Sequence, residues 1–121
     1  MGLTTKASYT QLYDNTATIS PCTNSAVVVK ASAGMITQVE VDNTANASTK
    51  VYLRLFDSAG SLTITSDEPP HIFPVAAGQK LVMSSFDGLM FGAGIQVACT
   101  TVSTLVATAP TGTVVVRIGY T

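Results

Sequence analysis

The sequence predicts an all-β protein: an antiparallel β-sandwich, jelly-roll-like, with about eight strands in a single domain spanning residues 1–121. Three observations carry that expectation. Thr, Val, Ser, Ala and Gly dominate, and β-branched side chains suit a pleated sheet better than a helix. Turn residues punctuate the chain at short intervals. No window carries a helical period, whereas several carry a period of two. A chain of 121 residues, 46% of them hydrophobic, can bury one core.

The segment Ser8 to Ile19 is mostly polar, with Tyr9, Leu12, Tyr13 and Ile19 as its large apolar members, and reads as one or two weak edge strands. Ile19 to Ser25 is a loop, because Pro21 cannot donate to a ladder. Ala26 to Ser32, with Val27, Val28 and Val29 in a row, reads as a buried strand. After a turn at Gly34, Met35, Thr37, Val39 and Val41 alternate with Ile36, Gln38, Glu40 and Asp42, giving one apolar and one mostly polar face. Asp42 to Ser48, with Asn43 and Asn46, is a loop by composition.

Thr49 to Ser58 is the strongest strand. Val51, Leu53 and Leu55 share one face; Tyr52, Arg54 and Phe56 share the other. Bulk on both faces predicts a central strand, with one side covered by a neighbouring chain. A looser stretch, Ser61 to Asp67, leads to Pro69 and Pro70, which bar a central strand there. His71 to Val75 is an edge piece because of Pro74, and Gln79 to Ser84 is the next strand. Asp87-Gly88 is expected to turn the chain. Ile95 to Thr100 is a strand with Ile95, Val97 and Cys99 on one face. Val102 to Ala107 is expected to add another, and Thr113 to Tyr120 closes the fold with Val114, Val116, Ile118 and Tyr120 facing the core.

Charge narrows the function classes. Only 11% of residues are charged, with six Lys and Arg against seven Asp and Glu. A near-zero net charge favours association, so an oligomer or a subunit bound to a larger shell is expected. The basic residues Lys6, Lys30, Lys50, Arg54, Lys80 and Arg117 are scattered, whereas phosphate binding needs a clustered patch; no nucleic-acid partner is expected. Met1 to Lys6 is polar, with no apolar run after it and none elsewhere long enough to span a bilayer, so neither secretion nor a membrane partner is expected. Cys22 and Cys99 are too few for a disulfide framework and stay free in a reducing cytosol.

Catalytic chemistry finds little footing. His71 is the single histidine, set among prolines; paired with Cys22 or Cys99 it would make a base and a nucleophile, but Cys99 lies on an apolar strand face where cysteine acts as a small hydrophobe. No catalytic residue, cofactor site or metal site is therefore assigned. Asp57, Asp67, Glu68 and Asp87 are oxygen ligands near loops without a calcium-loop spacing. Gly92-Ala93-Gly94 lacks the third glycine and the helix of a dinucleotide site and reads as a bend before a strand. Asn46-Ala47-Ser48 matches a glycosylation acceptor by chance. Tyr9, Tyr13, Tyr52, Phe56 and Tyr120 could form an aromatic sugar-binding face, but aromatic residues are more often core or subunit interface. The candidate interface residues are Tyr9, Leu12, Tyr13, Tyr52 and Phe56.

Several segments carry a resemblance. Lys50-Val51-Tyr52-Leu53-Arg54-Leu55-Phe56-Asp57 is followed by Pro74-Val75-Ala76-Ala77-Gly78, then Phe86-Asp87-Gly88-Leu89-Met90-Phe91, then Gly94-Ile95-Gln96-Val97-Ala98, and finally Ile118-Gly119-Tyr120. This order resembles the small β-sandwich virion structural proteins of tailed phages, whose capsid members act as decoration, or cement, subunits. The stretch Thr100 to Gly112 departs from the pattern, being rich in Thr, Ala and Val where the family has Gly, Asp and Asn. The resemblance implies a non-catalytic virion protein. Low charge and a single domain without fibrous repeats favour the capsid surface: a homotrimer made in the host cytoplasm that binds the major capsid protein and bridges capsomers. The polar segment 1–15 is its candidate N-terminal arm, anchored by Tyr9, Leu12 and Tyr13. The alternative is a carbohydrate- or receptor-binding module of a tail or baseplate.

Overall fold

The structure, a computed structural model, describes residues 15–106 and 108–121. Tyr9, Leu12 and Tyr13, and with them nearly all of the expected arm, lie outside the described residues. Eight strands form among those described: β1 (Asn15–Ile19), β2 (Val27–Lys30), β3 (Gly34–Asp42), β4 (Val51–Asp57), β5 (His71–Val75), β6 (Lys80–Phe91), β7 (Ile95–Thr100) and β8 (Val115–Tyr120). They build two four-stranded antiparallel sheets, A in the order β1-β8-β3-β6 and B in the order β2-β7-β4-β5. First pairs with last, second with seventh, third with sixth and fourth with fifth: an eight-stranded hairpin rolled on itself, which is the jelly roll.

The core fills the space between the sheets. Val39, Val41, Val116 and Ile118 from sheet A meet Val51, Leu53, Leu55, Val97 and Cys99 from sheet B, and none is more than 2% exposed. Each such aliphatic side chain contributes about 1.5–3 kcal/mol by leaving water. The closing strand keeps the expected face, with Val114, Val116 and Ile118 buried and Tyr120 packed beside them. Pro74 sits on β5 at the edge of sheet B, where no further strand needs its missing N–H.

Four segments differ from expectation, each for a local reason. The valine run of β2 is not buried: β2 is an edge strand, with Val27 39% and Val28 49% exposed. Ile36 is not on the polar face of β3. A register shift between Ile36 and Gln38 inserts Thr37, so Ile36 turns into the core while Thr37 donates its hydroxyl to the Gly119 carbonyl. Asp87-Gly88 does not reverse the chain. Opposite the same shift, β6 passes from Ser84 to Leu89 as an irregular stretch within the strand, with Gly88 at φ +72° supplying the left-handed residue. Residues 101–106 are a loop, not a ninth strand.

Loop 42–49 is an ordered structural joint. Asn43 is fully buried; its amide donates to the carbonyls of Thr49, Val75 and Ala76 at 3.0, 3.4 and 3.2 Å. Its Oδ1 accepts from the Asn46 amide at 2.9 Å, and Asn46 in turn bonds both the N–H and the carbonyl of Gly112. Two asparagines thus tie three loops at one end of the sandwich. Asn46 is 5% exposed with its amide committed, which removes it as a glycan acceptor.

Candidate protein-interaction face

The two sheets differ in what covers their outer faces. On sheet B the outward rows are Val28–Gln96–Phe56, Ala98–Arg54–Ile72 and Thr100–Tyr52–Pro74. The chain's own loops cap Phe56, Ala98 and Arg54 on this face, while Val28 and Ile72 stay 49% and 37% exposed. Leu62 and Ile64 pack on Phe56 and Ala98, and the Gln96 amide holds the same loop by the carbonyls of Ser58 and Gly60 at 3.1 and 2.6 Å. Loop 101–106 folds over Arg54, whose guanidinium donates to the Thr100 hydroxyl at 3.0 Å and to the carbonyls of Val102, Thr104 and Val106.

This corrects the expectation that a neighbouring chain covers the second face of β4. Phe56, a candidate interface residue, is 1% exposed and is covered from within the chain. Tyr52 is half-buried at the margin of the capped face, with the Lys50 ammonium 6.0 Å above its ring. Among the described residues Arg54 has no carboxylate partner and its Nη1 no hydrogen-bond partner, and burial draws its pKa below the usual guanidinium value. Carbonyl dipoles stand in for a counter-ion.

Sheet A is different: among the described residues Thr16, Thr18, Lys80, Val82, Ser84 and Arg117 stand exposed on its outward rows. They read Thr16–Gly119–Gln38–Ser84, Thr18–Arg117–Glu40–Val82 and, on three strands, Val115–Asp42–Lys80. The four charges pair among themselves, Arg117 with Glu40 at 3.4 Å and Lys80 with Asp42 at 3.8 Å. The face is therefore mostly polar and net-neutral, with a small hollow of about 150 Å³ beside Thr16, Gln38, Glu40 and Arg117, and apolar side chains stand out at its β6 margin, where Val82 is 62% and Met90 73% exposed. Sequence reading placed Gln38, Glu40 and Asp42 on a polar face but gave no sign that Arg117 lies beside them, because the pairing of β3 with β8 spans the whole fold.

The residues weighed for chemistry are used structurally. The His71 ring stacks on Phe73 at a centroid distance of 6.2 Å and meets Phe91 edge-on at 5.9 Å. Cys22 and Cys99 come together in the core at 1% and 0% exposure as free thiols. Contact with Cys22, together with burial, pushes the Cys99 thiol pKa up, so it resists becoming the nucleophilic thiolate. Among the described residues no group of three His, Cys, Asp or Glu gathers as a metal site. Asp57 instead accepts the backbone N–H groups of Gly92, Ala93 and Gly94 at 3.1, 2.8 and 3.3 Å, which hold its pKa below the usual carboxylate value. Asp67 takes the Thr63 N–H at 2.6 Å. A side chain at Gly94 would press on the carbonyls of Ser58 and Lys30, so that glycine serves close packing.

Comparison with protein-family models, with curated proteins and with solved structures returns no match to the chain.

Proposed function

We propose that the chain is a virion structural protein of a tailed phage: a capsid decoration subunit that binds the assembled major capsid protein, bridges capsomers and acts as a homotrimer on the capsid surface after synthesis in the host cytoplasm. The observation that carries this reading is the outer face of sheet A, open among the described residues, beside the largely capped outer face of sheet B. The four charges of that face already pair among themselves, so it presents no net charge to a protein partner, and the aliphatic Val82 stands exposed beside them. A subunit that binds only the assembled shell stabilises it by mass action. The segments that resemble phage virion proteins fall on β4, the turn after β5, β6, β7 and β8, the framework that positions both faces.

The carbohydrate-binding alternative calls for aromatic rings in the open. Among the described residues the exposed large hydrophobics are the aliphatic Val27, Val28, Ile72, Val82, Met90, Leu105 and Val106, which favours a protein partner. Thr18→Glu with Val82→Glu places two new carboxylates in the row that holds Glu40. This double variant is expected to lose at least about tenfold in affinity for undecorated phage heads while melting normally, since like charges pressed into an interface are costly. Val28→Glu, on sheet B, is expected to bind as the parent does. Deleting residues 1–15 is expected to weaken head binding. Equal binding by all four proteins would remove sheet A and the arm from the interface, and glycan binding without head binding would favour a tail or baseplate role.

A further inference from the structure

Cys22 and Cys99 are the chain's two cysteines, and neither belongs to the proposed interface. They come from different parts of the fold. Cys22 lies on the connection between β1 of sheet A and β2 of sheet B, and its N–H donates to the Val114 carbonyl at 2.8 Å, just ahead of β8. Cys99 lies on β7, between β2 and β4 in sheet B, and its N–H donates to the carbonyl of Thr23 at 2.8 Å. Thr23 follows Cys22, so one hydrogen bond ties the two backbones a residue away from the pair. Both side chains belong to the same core cluster, at 1% and 0% exposure, and the two thiols are in contact. Residues 20–26 lie outside the strands, so the Cys22 side can adjust while Cys99 is held in register with Leu53 of β4.

We propose that Cys22 and Cys99 form a disulfide within the folded chain when it meets a disulfide oxidant such as glutathione disulfide, fastening the β1–β2 connection to β7. Cys22 is the point of entry, because it sits outside the strands, where local opening costs least, and because burial and contact push the Cys99 thiol pKa up. The Cys22 sulfur gives up its proton and attacks one sulfur of the oxidant; a mixed disulfide forms and one glutathione thiolate leaves. The Cys99 sulfur then gives up its proton and attacks the Cys22 sulfur, and the second glutathione thiolate leaves. The two protons end on the two glutathione thiols. The protein pair loses two electrons and glutathione disulfide gains them. The bond closes the chain from residue 22 to residue 99, which restricts the unfolded form, so the stability of the fold follows the redox state of its surroundings. Under reducing conditions the pair stays as the two free thiols of the structure. None of this depends on what the chain binds.

The test uses the full chain under native conditions. It is incubated with glutathione disulfide to constant mass, digested without reduction and mapped by mass spectrometry, beside a sample kept in dithiothreitol. The expected result is the loss of two hydrogen atoms from the intact mass, a cross-linked peptide joining Cys22 to Cys99, and a Tm at least about 5 °C above that of the reduced sample. Cys22→Ser should show neither the mass loss nor the rise; where that variant fails to fold, the peptide map and melt of the parent decide. Two free thiols after the incubation, a lasting glutathione adduct, bonds between chains, or an oxidised form that melts no higher than the reduced one would overturn the proposal.

Discussion

Replacing Asn43 tests the loop joint that sets both sheets in place. Its side chain faces three carbonyls and one amide with no access to water. An amide has two hydrogens, so the three donor contacts amount to two full bonds, one of them shared; with the bond accepted from Asn46 the total is about three. At about 0.5–1.5 kcal/mol net per bond, and with buried carbonyls left unpaired, Asn43→Ala should cost about 2–4 kcal/mol. For a chain of this size that lowers Tm by roughly 8–20 °C. Asn43→Asp separates hydrogen bonding from shape. It keeps the acceptor for Asn46 but directs a carboxylate oxygen at three carbonyls, so at pH 7 it should be at least as harmful as alanine. Burial and the carbonyl dipoles would raise the folded pKa of the new acid above its unfolded value of about 3.9. Protonation then favours the folded form. The Asn43→Asp protein should be most stable below that unfolded value and lose stability as pH rises through the folded one. Thermal melts of the three proteins from pH 3 to 8 measure this. An Asn43→Ala cost below about 0.5 kcal/mol, or an Asn43→Asp protein indifferent to pH, would show that these bonds do not hold the loops together.

Two further perturbations follow from the same geometry. The three N–H groups on Asp57 lower its folded pKa, so its contribution is present above the unfolded pKa of about 3.9 and is lost as pH falls through the lower folded value; acid titration of Asp57→Asn should show a flatter loss of stability over that window than the parent. Arg54→Met exchanges a buried, unpaired charge for an apolar side chain and should change global stability by no more than about 1 kcal/mol, whereas Arg54→Ala, which leaves a cavity, should cost about 2–4 kcal/mol. Both should open loop 101–106 to proteolysis, and equal destabilisation by the two would show that the guanidinium itself holds the sandwich together.

The strand framework was legible because period-two patterns and turn residues are local. Val51, Leu53 and Leu55 against Tyr52, Arg54 and Phe56 marked a central strand, and β4 is central. What covers its second face was not legible, since loops 58–67 and 101–106 return from elsewhere in the sequence to lie on Phe56 and Arg54. The inserted Thr37 was equally hidden: one extra residue reverses the phase of Ile36, and no composition signal marks it. Asn43 and Asn46 read as loop formers, which they are, but their bonds to Val75 and Gly112 depend on tertiary closure. Of the candidate interface, Phe56 was misplaced because a buried aromatic and an interface aromatic look alike in sequence. The outward rows of sheet A, the face proposed to meet the partner, join residues from four strands and could be assembled only once the register was known.

Co-sedimentation of the purified protein with undecorated phage heads, with bound copies per head counted at saturation, decides whether the chain is a decoration subunit. Saturable binding in multiples of three per lattice position is expected, with coated heads resisting heat better than bare ones. Heads that pellet without the protein at every concentration would contradict it.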